Sequence, residues 1–291
     1  MFLSKKLMGA GGATGSGGGG SETVYSADLT NASPDNVELY VGSNIPAPRG
    51  MAFNSDGSEL VILCSSTDKY HTYSLSNNYL ITGTVTYLGA SRTLSTGRNN
   101  PFGMCFGKNG ERLYNTDGND KVLEYHIPSA DAYDVSEATY QGIGQEYNTN
   151  SFETFPTGLR FNPDGTKMYI VGNTGNDITE VALSTAWDVS TGTTSSIVSF
   201  SVYFQDNAPS DLEFNSNGTK MYVIGRATDD VFQYSLTTAY DLSTASYDNI
   251  SYSPPSSVDD SNHEGILFNP TYTKMFLVGR SSDKVQQFSC D

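Results

Sequence analysis

One phrase, Pro-x-Gly-apolar-x-Phe, returns five times along the chain and narrows what it can fold into. It reads Pro48-Arg49-Gly50-Met51-Ala52-Phe53, Pro101-Phe102-Gly103-Met104-Cys105-Phe106 and Pro156-Thr157-Gly158-Leu159-Arg160-Phe161. The fourth copy is Pro209-Ser210-Asp211-Leu212-Glu213-Phe214, and the fifth, His263-Glu264-Gly265-Ile266-Leu267-Phe268, lacks the proline. Its phenylalanines, at 53, 106, 161, 214 and 268, lie 53, 55, 53 and 54 residues apart. So regular a period marks an architecture in which each repeat buries its faces only against its neighbours.

Each copy continues in the same way. A turn follows the phenylalanine, as in Asn54-Ser55-Asp56-Gly57, Asn162-Pro163-Asp164-Gly165 and Asn215-Ser216-Asn217-Gly218. There the glycine supplies a positive φ. The fifth copy has Tyr272 in place of that glycine, so its turn is expected to differ. A continuous apolar run comes next, such as Lys167 to Gly172, Lys220 to Gly225 or Lys274 to Gly279, and predicts a strand buried on both faces. Alternating runs such as Val122 to Ile127 and Val231 to Leu236 predict a half-exposed third strand. After a turn of the form Ala-(Trp/Tyr)-Asp-(Val/Leu), a weaker fourth strand closes the repeat, for example Ile197 to Tyr203.

Four strands per repeat and five repeats predict an all-β chain: a five-bladed β-propeller of four-stranded antiparallel blades. The phenylalanine phrase is the innermost strand, where glycine allows close backbone approach near the axis. Its phenylalanine ring is expected to be buried between blades. The fifth repeat ends after its third strand. The segment Asp35 to Val41 is expected to supply the missing outer strand and close the ring. Two segments, 24–29 and 285–290, compete for the third strand of that last blade. The domain division is a Gly-rich leader over 1–21 and the propeller over 22–291.

The balance of charge excludes some partners. Lys plus Arg is 16 against 32 for Asp plus Glu, a net charge of −16. Such a chain is repelled by phosphate backbones, so no nucleic acid is expected, and an anionic membrane surface is disfavoured. No apolar run is long enough to insert in a membrane. The first eight residues lack the apolar stretch of a secretory signal. Three cysteines, Cys64, Cys105 and Cys290, follow no zinc spacing and are expected to be small buried residues.

The run Asn162 to Gly172, with its Pro-Asp-Gly-Thr-Lys-Met-Tyr core, resembles the repeats of lactonase-like and surface-layer propellers. Together with Leu183-Ser184-Thr185-Ala186-Trp187-Asp188-Val189 it looks more like a longer repeat of marine bacterial and tailed-phage proteins. The leader Lys5-Lys6-Leu7-Met8-Gly9-Ala10-Gly11-Gly12 resembles leaders on accessory virion proteins of such phages. Residues 9–20 are mostly glycine and form a flexible stalk. Phe2, Leu3, Leu7 and Met8, with Lys5 and Lys6, make an apolar-basic head suited to docking on another subunit.

No linear motif of hydrolases, zinc proteases or nucleotide-binding loops is present, and no cofactor or metal site is expected. The Asp-Gly turns read as structural rather than calcium loops. His71 and His126 fall on third strands as ordinary surface or half-buried histidines. The face where the innermost strands begin gathers Arg49, Arg98, Asp206, Asp211, Arg226, Asp259, Asp260, His263, Glu264 and Arg280 as the candidate binding face. The acidic loop there could take a divalent cation, although a solvated loop accounts for it more simply. The aromatic turn residues Tyr133, Trp187 and Tyr240 lie on the other face, where packing explains them.

The resulting expectation is a non-enzymatic structural or recognition module. It would be tethered through residues 1–20 to other subunits of an assembly, as an accessory protein of a tailed-phage virion, with a host-surface glycan or protein on its free face. The alternatives are a soluble carbohydrate-binding or hydrolytic propeller and a peptide-binding scaffold.

Overall fold

The apolar runs are the second strands, and burial on both faces follows from blades stacked on either side. Lys167–Gly172, Lys220–Gly225 and Lys274–Gly279 leave only their first lysine partly open. The computed structural model describes residues 23–91, 100–142, 144–255 and 262–291. The predicted leader, 1–21, lies outside them.

The chain forms a five-bladed β-propeller. Blade 1 is Pro48–Phe53, Glu59–Cys64, Lys69–Leu75 and Val85–Ala90, from the axis outward. Blade 2 is Pro101–Gly107, Arg112–Asp117 and Lys121–His126, with an outer edge in two pieces, Thr139–Tyr140 and Glu146–Asn148. Blade 3 is Pro156–Phe161, Lys167–Gly172, Asp177–Ala182 and Val198–Ser201. Blade 4 is Pro209–Phe214, Lys220–Gly225, Val231–Leu236 and Ala245–Tyr252. All pairings are antiparallel.

Blade 5 closes the ring. His263–Phe268, Lys274–Gly279 and Lys284–Ser289 come from the C-terminal end, and Ser33–Tyr40 supplies the outer strand, paired with Lys284–Ser289. The competition for the third strand is thereby decided, since residues 24–29 form no strand. Instead Asp28 caps the 3-10 turn Leu29–Asn31, accepting from the Thr30 N–H, just as Asp188 and Asp241 cap their turns in blades 3 and 4. The clasp is polar as well as apolar. Asp35 accepts from Lys274 at 2.8 Å, from Gln287 and from Ser289.

Five apolar clusters fill the gaps between successive blades, one for each gap. The innermost strands come close because of their glycines. A Cβ on Gly103 would lie 2.5 Å from the Thr157 carbonyl, and one on Gly50 2.7 Å from the Met104 nitrogen. Tyrosines on the second strands of blades 2, 3 and 4 tie each of these blades to the next. The Tyr114 hydroxyl donates to the Trp187 carbonyl, Tyr169 to Tyr240 and Tyr222 to Ala27.

Three expectations need correction. The third strands are nearly wholly buried, not half-exposed. Their polar residues reach into the following blade, where Glu124 accepts from the Val189 N–H, Glu180 from Leu242 and Gln287 from Ile81. The turn at Tyr272 keeps the backbone of the glycine turns, with a φ of +58° and the same bond back to the Asn269 carbonyl. The phenylalanine anchors are also not alike. Phe214 and Phe268 are buried, whereas Phe53, Phe106 and Phe161 are half-buried; all but Phe214 line a cavity at the end of the channel. No helix among the described residues is long and apolar enough to cross a membrane.

Candidate functional site

The axis of the ring is reached only by residues of the innermost strands and of the turns beside them. In the repeated phrase the two x positions carry no consensus side chain, and these positions furnish the channel. The first is Arg49, Phe102, Thr157, Ser210 and Glu264, and the second is Ala52, Cys105, Arg160, Glu213 and Leu267.

At the mouth where the inner strands begin, part of the predicted face comes together. Arg49 is almost fully buried, with Nη1 2.8 Å from Glu264 Oε1 and Nε donating to Ser65 Oγ. Its guanidinium lies 4.1 Å over the Phe102 ring. Arg226 Nη1 is 3.7 Å from the other Glu264 oxygen, and its Nη2 donates to Asn173. Arg280, exposed, is near enough to act electrostatically on both Arg49 and Glu264. Burial lowers the Arg49 guanidinium, Glu264 opposes this and the neighbouring guanidiniums add to it, leaving its pKa at about 10. Burial raises the Glu264 carboxyl, and the three arginines pull it back.

Other members of the predicted face serve the scaffold. His263 is fully buried on blade 5, with Nε2 3.2 Å from Gln286 Oε1 and Nδ1 3.6 Å from Asp229. It replaces the proline of the other copies as a packed core residue and does not reach the mouth. Asp206 is buried and accepts from the N–H groups of Ala208, Ala227 and Thr228, holding one loop of blade 4 against another. Arg98, Asp259 and Asp260 lie outside the described residues, as do Phe2, Leu3, Lys5, Lys6, Leu7 and Met8.

Asp211 lies below the mouth, inside the channel, and meets a residue that sequence reasoning passed over. Arg160 spans the axis there. It donates to Asp211 at 3.1 Å and Glu213 at 2.9 Å, and to the carbonyls of Met104, Leu159 and Ile266. One guanidinium thus joins four blades. Burial raises the Asp211 carboxyl to about 6 against the pull of Arg160. Burial works to lower the Arg160 pKa, but Asp211 and Glu213 hold it above its ordinary value.

Below this plug the channel opens again on the opposite face as a cavity of about 390 Å³. Its wall includes Phe53, Tyr79, Phe106, Tyr133, Phe161, Trp187 and Tyr272, and its floor Cys105, Arg160 and Glu213. The turn aromatics pack as expected: Trp187 against Phe161 at 5.4 Å, Tyr133 against Phe106 at 5.0 Å. They also form the wall of this basin.

Among the described residues no cluster of His, Cys, Asp and Glu is arranged to hold a metal ion. The three cysteines are free and buried, and burial raises the Cys105 thiol to about 12. The Asp56 and Asp164 carboxylates accept from the N–H groups of Ser58 and Thr166 within their own turns.

No protein-family model matches the chain, and no curated protein matches it. Solved structures share its fold. A luciferin-regenerating enzyme is similar over 87% of this chain and 94% of its own, with a TM-score of 0.51 and 10% identity. A protein of unknown function from Desulfotomaculum acetoxidans matches over 82% and 81%, with a TM-score of 0.50 and 14% identity. Virginiamycin B lyase from Staphylococcus aureus matches over 87% and 98%, with a TM-score of 0.49 and 14% identity. At these identities the likeness is one of fold. It nevertheless overturns the expectation of a non-enzymatic module, because propellers of this kind include enzymes. The physical reason is that a site on a propeller axis is assembled from several blades, so a lack of linear motifs says nothing against catalysis.

Proposed function

We propose that this propeller binds an anionic group, a carboxylate or a phosphate ester, at the mouth where the inner strands begin. The observation that carries the reading is the gathering of three guanidiniums, Arg49, Arg226 and Arg280, around the carboxylate of Glu264 among the described residues. In a chain of net charge −16 this is a local reversal of sign on the axis. Low-dielectric walls focus such a field on an approaching anion. Arg49 is held by Phe102, Ser65 and Glu264, so its planar fork is already oriented. Arg226 and Arg280 are the more open and would make the direct contacts.

Calorimetric titration with small dicarboxylates and sugar phosphates tests the reading. Saturable binding that weakens with salt and falls about tenfold in Arg226→Gln and in Arg280→Gln is expected. Equal affinity in the parent and both variants overturns it. The placement of the ring in an assembly, with a tailed-phage virion as the example, is a further part of this proposal. It is supported only by the sequence of the leader and the repeats, and loss of incorporation on deletion of residues 1–20 is the outcome it requires.

A further inference from the structure

We propose that the aromatic basin on the opposite face is a second ligand site and that it takes a compact organic cation, such as a quaternary or primary ammonium group. The basin holds about 390 Å³, the size of a small-ligand pocket. Tyr79, Tyr133, Trp187 and Tyr272 stand around it, each half-buried and open to the basin. Aromatic faces carry negative quadrupole density and attract cations.

The floor decides the sign of the ligand. Arg160 has five N–H groups, and all five are spent: one on Glu213, one on Asp211, three on the carbonyls of Met104, Leu159 and Ile266. It has none left for an incoming anion. The Glu213 side chain stays 19% exposed and lines the basin, and its two oxygens, one accepting from Arg160 and one from the Phe214 N–H, keep further lone pairs free to accept. Two carboxylates face one guanidinium there, so the floor accepts hydrogen bonds and is negative. The Cys105 thiol beside it, raised by burial to about 12, stays neutral and adds no charge. An aromatic wall above a carboxylate disfavours anions, and its charge prefers a cation to a neutral polyol.

Trp187 is the only tryptophan in the chain and stands in the wall of this basin, so its emission responds to a ligand bound there. The experiment titrates the full-length protein with choline and with its uncharged isostere 3,3-dimethylbutan-1-ol, following Trp187 fluorescence. A saturable change with choline, and binding of the isostere about tenfold weaker, is the expected result. Glu213→Gln should weaken choline by about tenfold. Tyr133→Leu, which leaves the Arg160 contacts intact, should weaken it as well and keeps the test decisive if the first variant does not fold. Equal binding of the isostere overturns the proposal. So does saturation by a neutral sugar in place of choline, or an emission that no cation changes. Anions bound at the other mouth should leave the emission unmoved, so the two sites fail or stand separately.

Discussion

Tyr272 stacks on Phe268, with centroids 5.3 Å and planes 28° apart, from a backbone position at φ +58°. In the other four blades this position is Gly57, Gly110, Gly165 or Gly218, and the ring comes from elsewhere, from Tyr79, Tyr133, Trp187 or Tyr240. Each of those rings lies where a glycine Cβ would be, within 2.2 to 2.3 Å of it. In blade 5 the equivalent turn is Ala27-Asp28-Leu29, where Ala27 takes the aromatic's place and its carbonyl receives the Tyr222 hydroxyl. The ring is then supplied from the glycine's own position.

Opposite substitutions at these positions should therefore both cost stability. Gly165→Ala puts a methyl group into the Trp187 ring at a left-handed φ and should lose about 2–4 kcal/mol in denaturant unfolding. Tyr272→Gly relieves about 1 kcal/mol of backbone cost but strips a ring from Phe268, for a net loss of about 1–2 kcal/mol. A Tyr272→Gly chain as stable as the parent would show that the ring does not replace the missing one.

The same contrast explains what could be read from the sequence. Residues that pack between blades must recur, so the phenylalanines, the turn asparagines and the closing strand at Asp35 were legible. Channel residues have no reason to recur, because each faces a different neighbour across the axis. Arg160 therefore looked like a variable position, although it joins four blades. Buried polar residues misled for a related reason. The third strands read as half-exposed because the partners of their polar residues, such as the Val189 and Leu242 N–H groups that Glu124 and Glu180 accept from, lie in the next blade some sixty positions on. His263, grouped in the sequence with the acidic loop of the candidate binding face, is a buried residue beside Gln286.

Arg160→Met should destabilise strongly, and more so at high pH. It leaves Asp211 and Glu213 without their cation and several carbonyls without a donor, a loss of about 3–5 kcal/mol near neutrality. The Asp211 carboxyl already sits at about 6 with the arginine present, and goes higher without it. A carboxyl whose folded pKa is raised stabilises the fold when protonated, and that contribution is lost as pH rises from the unfolded value, near 4, through the folded one. The gap between variant and parent should thus narrow at pH 5 relative to pH 8 in urea titrations. A gap independent of pH would place the cost in the lost carbonyl contacts alone.

Tyr169→Phe removes one hydroxyl from the joint between blades 3 and 4. The hydroxyl donates to the Tyr240 carbonyl at 2.6 Å, and Lys167 Nζ donates to the same oxygen at 2.8 Å. Because that acceptor keeps a partner, the loss should stay near about 1 kcal/mol. Tyr222→Phe is the matched comparison, since Lys220 Nζ is engaged by Asp248 and Ser235. Its loss should be the larger of the two, and the reverse order in thermal unfolding would count against the shared-acceptor argument.

His71 should give the fold a pH dependence of its own. The ring is buried on the third strand of blade 1, its Nδ1 3.0 Å from the Tyr87 hydroxyl and its Nε2 without a hydrogen-bond partner among the described residues. Burial, helped by Lys69, lowers its pKa from 6.5 to about 4. The unfolded chain therefore takes up a proton on this residue from about pH 6.5 downward, while the native ring stays neutral until about pH 4. Stability is complete above the upper value, declines as the pH falls between the two, and levels off below the lower. The decline should amount to about 2–3 kcal/mol, less than the full shift implies because part of the ring's surroundings stays polar. His71→Phe removes the titration and leaves the carboxylates common to both chains. The difference between the two stability curves should fall steeply from pH 7 to pH 4, and parallel curves over that range would locate the acid sensitivity elsewhere.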